Sequence, residues 1–151
     1  MELKSVKPAS RLPASGCQSS VDQILHRLRA MGASNSSLRI NPYGNANLYR
    51  SGNPTGRTDE LSIVMADKTL GLDGQPISHK IMESADLKIW ATKIVSNCPN
   101  TAVVSFGIYK TDSTVEFFAQ RDGSAREGQC DPNQARRNGN DKRPWGLSFC
   151  P

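Results

Sequence analysis

Apolar residues recur at helical spacing in two places along the chain. Val21, Ile24, Leu25, Leu28 and Met31 fall at i, i+3, i+4, i+7 and i+10, which puts them on one face of a helix. Ser20 stands where an N-cap is needed, Gln23 is placed to reach back to it, and Gly32 supplies a left-handed stop. His26, Arg27 and Arg29 then point to solvent. The second stripe is cleaner: Leu87, Trp90, Ala91, Ile94, Val95 and Cys98. Cys98 ends its buried face, and Pro99 closes the helix, because the residue before a proline avoids helical backbone angles.

Elsewhere the pattern reads as strands. Residues 33–57 are rich in Asn, Ser, Gly and Pro and leave room for short strands around Leu38–Ile40 and Leu48–Arg50. Leu61–Ala66 is a largely buried strand, and Asp67–Gln75 is turn chemistry with Asp73-Gly74 as its clearest signal. Two further strands, Thr101–Tyr109 and Ser113–Ala119, meet at a Lys110-Thr111-Asp112 turn. The second alternates Val115, Phe117 and Ala119 against Thr114, Glu116 and Phe118. A turn at Arg121–Ser124 leads to a short strand ending near Cys130, and a last strand carries Trp145, Leu147 and Phe149 on one face. The expected fold is α+β: two amphipathic helices packed on one face of a curled antiparallel sheet, stabilised by disulfides. Residues 1–18 read as a flexible lead-in and residues 19–151 as a single domain.

Composition adds a compartment. Only 36% of the 151 residues are hydrophobic, so the core is lean and gains from covalent cross-links. The cysteines, Cys17, Cys98, Cys130 and Cys150, are even in number, scattered, and form no C-x-x-C pair. That favours disulfides in an oxidising, extracytoplasmic setting (periplasm, cell surface or secreted) over a zinc site. Four cysteines allow three connectivities. Closing the local loop between Cys130 and Cys150 would leave Cys17 for Cys98, and the other two remain open. Residues 1–16 have no apolar signal core, so export implies a signal already trimmed; no run of about eighteen apolar residues suits a transmembrane helix. The net charge of +5 favours anionic partners without choosing among them.

Catalytic signatures are missing. No Gly-x-Ser-x-Gly elbow occurs, and the glycines of 52–57 lack the Lys-Ser/Thr ending of a phosphate-binding loop. His26 and His79 could serve phosphodiester cleavage, with Glu83 near the second, if the fold brings both imidazoles to one phosphate. No cofactor, metal site or specific nucleic-acid signature is expected. The best candidate contact surface is the loop bearing Arg136, Arg137, Lys142 and Arg143, with Trp145 just beyond. Its basic pairs could hold an acidic glycan or a single nucleic-acid strand, or could simply keep a sheet edge from pairing with other chains.

The stretch Ser84–Cys150 resembles a group of small exported cyanobacterial proteins of uncharacterised function. The resemblance lies in Ile94-Val95-Ser96-Asn97-Cys98, Phe106-Gly107, Thr111-Asp112, Cys130, and Trp145-Gly146 before Cys150. An aromatic residue commonly follows the Thr-Asp pair in that group, where this chain has Ser113. The resemblance implies export and a disulfide-held fold, with no assigned chemistry. Together these readings point to a non-enzymatic extracytoplasmic interaction or structural module of a cell-surface assembly. Its partner would be another envelope or extracellular protein, or an anionic polymer. The alternative is a small secreted hydrolase acting on RNA or cell-wall polymer.

Overall fold

The computed structural model describes residues 15–40, 46–138 and 141–149. Its elements are α1 (Ser15–Ala30), β1 (Ser36–Ile40), β2 (Arg50–Ser51), β3 (Asp59–Met65), α2 (Ile77–Met82), α3 (Asp86–Asn97), β4 (Thr101–Ile108), β5 (Thr114–Ala119), β6 (Ala125–Glu127), β7 (Gln129–Cys130), β8 (Arg143–Pro144) and β9 (Leu147–Ser148). A five-stranded sheet runs in the order β1-β3-β4-β5-β6. All its neighbours are antiparallel except β3 and β4, which run parallel because α2 and α3 carry the chain across between them. The class is α+β, as the periodicity predicts.

The helices share one face of this sheet. Val21, Ile24 and Leu28 of α1, Ile81 of α2, and Leu87, Trp90, Ala91, Ile94 and Val95 of α3 form a single buried cluster with Leu61, Ile63, Met65, Val104, Phe106, Phe117, Ala119 and Ala125 of the strands. Phe106 is the centre: its ring lies 6.0 Å from Phe117, edge-on, and 6.3 Å from Trp90. Cys17, in the first turns of α1, is disulfide-bonded to Cys98 at the end of α3, and both are fully buried. The bond ties the helix pair at one end. Arg57 closes the same end, its Nη1 donating to the carbonyls of Val95 (2.8 Å) and Thr101 (3.1 Å), where a cation suits the helix C-terminus.

Several boundaries differ from the sequence reading. Residues 1–14 of the expected lead-in lie outside the described residues, but residues 15–18 belong to α1, so Ser20 is a buried helix residue and not a cap. The Cys17 cross-link explains the shift, since it holds the earlier turn against α3. Gly32 does end α1: at φ +109 it lets its own N–H reach the Arg29 carbonyl and the Ala33 N–H reach Leu28. Met31, placed by spacing on the buried face, is exposed at that turn. The six-residue α2 follows Pro76 and was missed, being too short to show a full helical stripe.

The C-terminal strand is also broken. Gly146 at φ +90 splits it into β8 and β9, which pair parallel with β2 and β7 in two small ladders on the opposite face of the sheet. Trp145 comes down on Phe118, ring centroids 5.0 Å apart, and its Nε1 donates to the Ala119 carbonyl. With Ala46, Ala102 and Val103 they make a second, smaller core. That is why Phe118, on the polar register of β5, is nonetheless fully buried. Phe149, expected on the face of Trp145, is two-thirds exposed. Cys130 is likewise disulfide-bonded; Cys150, its expected partner, lies outside the described residues.

Candidate functional site

The basic loop is built around a carboxylate. Asp131, just after β7, has no exposed side-chain surface, and its backbone N–H donates to Ser148 of β9. Its Oδ2 accepts from Arg137 Nε at 2.5 Å and Arg143 Nε at 3.2 Å; its Oδ1 accepts from Arg137 Nη2 and from the Asn133 N–H. Two of the four basic residues singled out in the sequence therefore hold the loop to the protein. Arg136 and Lys142 remain exposed. The guanidinium of Arg143 also lies 5.5 Å from the centre of the exposed Phe149 ring.

These contacts predict an acid-sensitive latch. The Arg137 hydrogen bond, aided by the Asn133 N–H and Arg143, holds the Asp131 carboxyl down at about 2 from an ordinary 3.8. Its ionised form thus favours the fold above about pH 4, and that contribution fades as pH drops through about 2. Asp131→Asn is expected to melt below the wild type at neutral pH. The gap between the two melting temperatures should narrow as pH falls from about 4 to 2, followed by thermal melts across that range.

The sheet face away from the helices carries a second set of polar groups. Arg50, only 8% exposed, bridges Glu60 of β3 at 2.6 Å and Glu116 of β5, while its guanidinium lies against Phe118. One row across this face reads Arg39, Ser62, Ser105 and Glu116, by strand register. The hydroxyls of Ser62 and Ser105 are 2.6 Å apart. At the end of β4 the half-exposed Tyr109 ring gathers two cations, Arg39 at 5.7 Å and Lys110 at 5.5 Å from its centre. Sequence reading took Lys110 only as a turn residue. The adjacent Tyr-Lys pair at a strand end was the available signal, but Arg39 comes from a strand seventy positions earlier.

Tyr109 and Lys110 also line a cleft of about 680 Å³ with Lys68, Leu70, Pro76 and His79. A second recess, about 370 Å³, shares His79 and Ile108 with it and adds Glu83 and Asp112. His79 therefore lies in a recess beside carboxylates. His26 is elsewhere: it lines surface depressions on α1 with Asp22 and Gln23, and with Trp90 and Lys93 between α1 and α3. The histidines share no lining residue in these recesses, so the structure does not bring them together there. Among the described residues no three His, Cys, Asp or Glu side chains gather as metal ligands, and no helix is long and apolar enough to cross a membrane.

Comparison with known proteins finds no matching family model, no matching curated protein and no matching solved structure. Fold and site define a disulfide-bonded α+β domain with exposed cationic surfaces.

Proposed function

We propose that this protein is a non-enzymatic, extracytoplasmic interaction module of a cell-surface assembly, holding an anionic polymer or another envelope protein. The observation that carries the reading is the group of exposed cations, Arg39, Lys68 and Lys110, which have no ion-pair partner among the described residues. Exposed charge without an ion-pair partner favours an external anion. The buried Cys17–Cys98 bond suits an oxidising compartment, and the resemblance to small exported cyanobacterial proteins agrees with it.

One observation favours the second reading, a secreted hydrolase of RNA or cell-wall polymer: His79 lines a recess with Glu83 and Asp112. Incubation with RNA and with peptidoglycan separates the two. The module reading expects intact polymer. Soluble products that vanish in His79→Ala would establish the hydrolase.

The basic loop gives a further prediction. Arg136→Ser/Lys142→Ser is expected to leave the melting temperature unchanged, because both side chains are exposed and outside the latch. Arg137→Ser/Arg143→Ser should lower it, since Asp131 then stays buried without its partners. Thermal melts of the two variants check this. A loss of polyanion binding is therefore interpretable only in the first variant, read as a shallower salt dependence.

A further inference from the structure

We infer that the cleft between the Asp67–Pro76 loop and the β4–β5 turn binds an acidic polysaccharide, held by Arg39, Lys68 and Lys110. The inference rests on the interaction-module reading and names both the contact and its ligand. Lys68 and Lys110 line the cleft, and Arg39 reaches it through Tyr109, whose ring it shares with Lys110. The acidic lining residue nearest them in sequence, Asp67, is buried, and its oxygens already accept from Ser34 Oγ, the Asn35 N–H and Asn35 Nδ2. Asp67 makes no ion pair with them, and the three cations stay exposed to an external anion.

The backbone adds an independent observation. Lys110, at φ +58, is the one non-glycine residue with a positive φ among the described residues. Glycine or asparagine would sit there more easily, and a long side chain gains nothing from the conformation itself. A strained residue at the lip of a cleft is accounted for if its ammonium is used.

Ligand class follows from the surroundings. A volume of about 680 Å³ holds a few sugar rings, and Ile108, Pro76 and Leu70 offer apolar surface to their C–H faces. Binders of single nucleic-acid strands keep aromatic faces free for bases, whereas Tyr109 is already engaged by a guanidinium and an ammonium. Glu83 and Asp112 in the adjoining recess repel a polyanion.

The test titrates the whole protein with an oligogalacturonate, with neutral dextran, and with a single-stranded oligonucleotide of equal charge, at several salt concentrations. The expected result is salt-dependent binding of oligogalacturonate, none of dextran, and weaker binding of the oligonucleotide. Lys110→Gly should weaken oligogalacturonate binding about tenfold while raising the melting temperature by about 2–4 °C. A residue with only a structural role would not give that opposed pair of effects. Undiminished binding by Lys110→Gly, no binding by the wild type, or tighter binding of the oligonucleotide would each overturn the inference and leave the module reading standing. Release of reducing ends from the bound glycan would instead overturn the non-enzymatic reading.

Discussion

Replacing Cys17 and Cys98 together by serine is expected to lower the stability of this protein by about 4 kcal/mol. The bond joins residues 81 positions apart, so the loop it closes in the unfolded chain is long and its loss releases much conformational entropy. For a chain of this size such a loss moves the melting midpoint down by roughly 8–16 °C. Both sulfurs lie in the fully buried cluster between α1, α3 and the sheet, so the new hydroxyls would also enter an apolar site. Burial makes the order of reduction a second readout. Cys130 belongs to an exposed residue pair at β7, whereas Cys17 and Cys98 are sealed. A mild reductant followed by thiol alkylation should label Cys130 well before Cys17 or Cys98, which react only when the fold opens. The untreated protein should show no reactive thiol. Early labelling of Cys98, or a double variant that melts with the wild type, would contradict the buried bond.

What the sequence made legible follows the range of the forces involved. The α3 stripe could be read because five of its residues face one core, and local spacing is all that pattern needs. The same holds for Asp73-Gly74 and for the β4–β5 hairpin. The Cys17–Cys98 bond was among the pairings the cysteine positions allow, but the other contacts between distant segments were not legible. The start of α1 is set by a bond to a residue 81 positions away, so a plausible capping box at Ser20 misled. Arg50 read as part of a short strand, yet it is buried by carboxylates 10 and 66 positions away. At the candidate site, the charges of Arg137 and Arg143 were evident, but nothing in their spacing showed that Asp131, 6 and 12 positions earlier, would claim them. The Arg39–Tyr109–Lys110 group was hidden for the same reason: the sheet assembles it from strands that are not neighbours in the chain.

Trp90→Ala is expected to cost about 3–5 kcal/mol, because truncating a large buried ring leaves a cavity that rigid neighbours fill only in part. Trp90 is 9% exposed and packs its ring against Phe106, the residue on which the helix layer and the sheet converge. Its indole also walls the shallow groove between α1 and α3 beside Ile24, so the cavity would open between three elements at once. Ile89 provides the control. It precedes Trp90 in the same helix but is 62% exposed, so Ile89→Ala should change stability by no more than about 0.5 kcal/mol. Urea melts of the two variants and the wild type read both effects. The midpoint should fall sharply for Trp90→Ala with an unchanged slope, since the surface exposed on unfolding is nearly the same. Equal midpoints for the two variants would mean that α3 is rotated about its axis relative to the sheet. The burial of Ile94 and Val95 in the shared cluster would then fail with it.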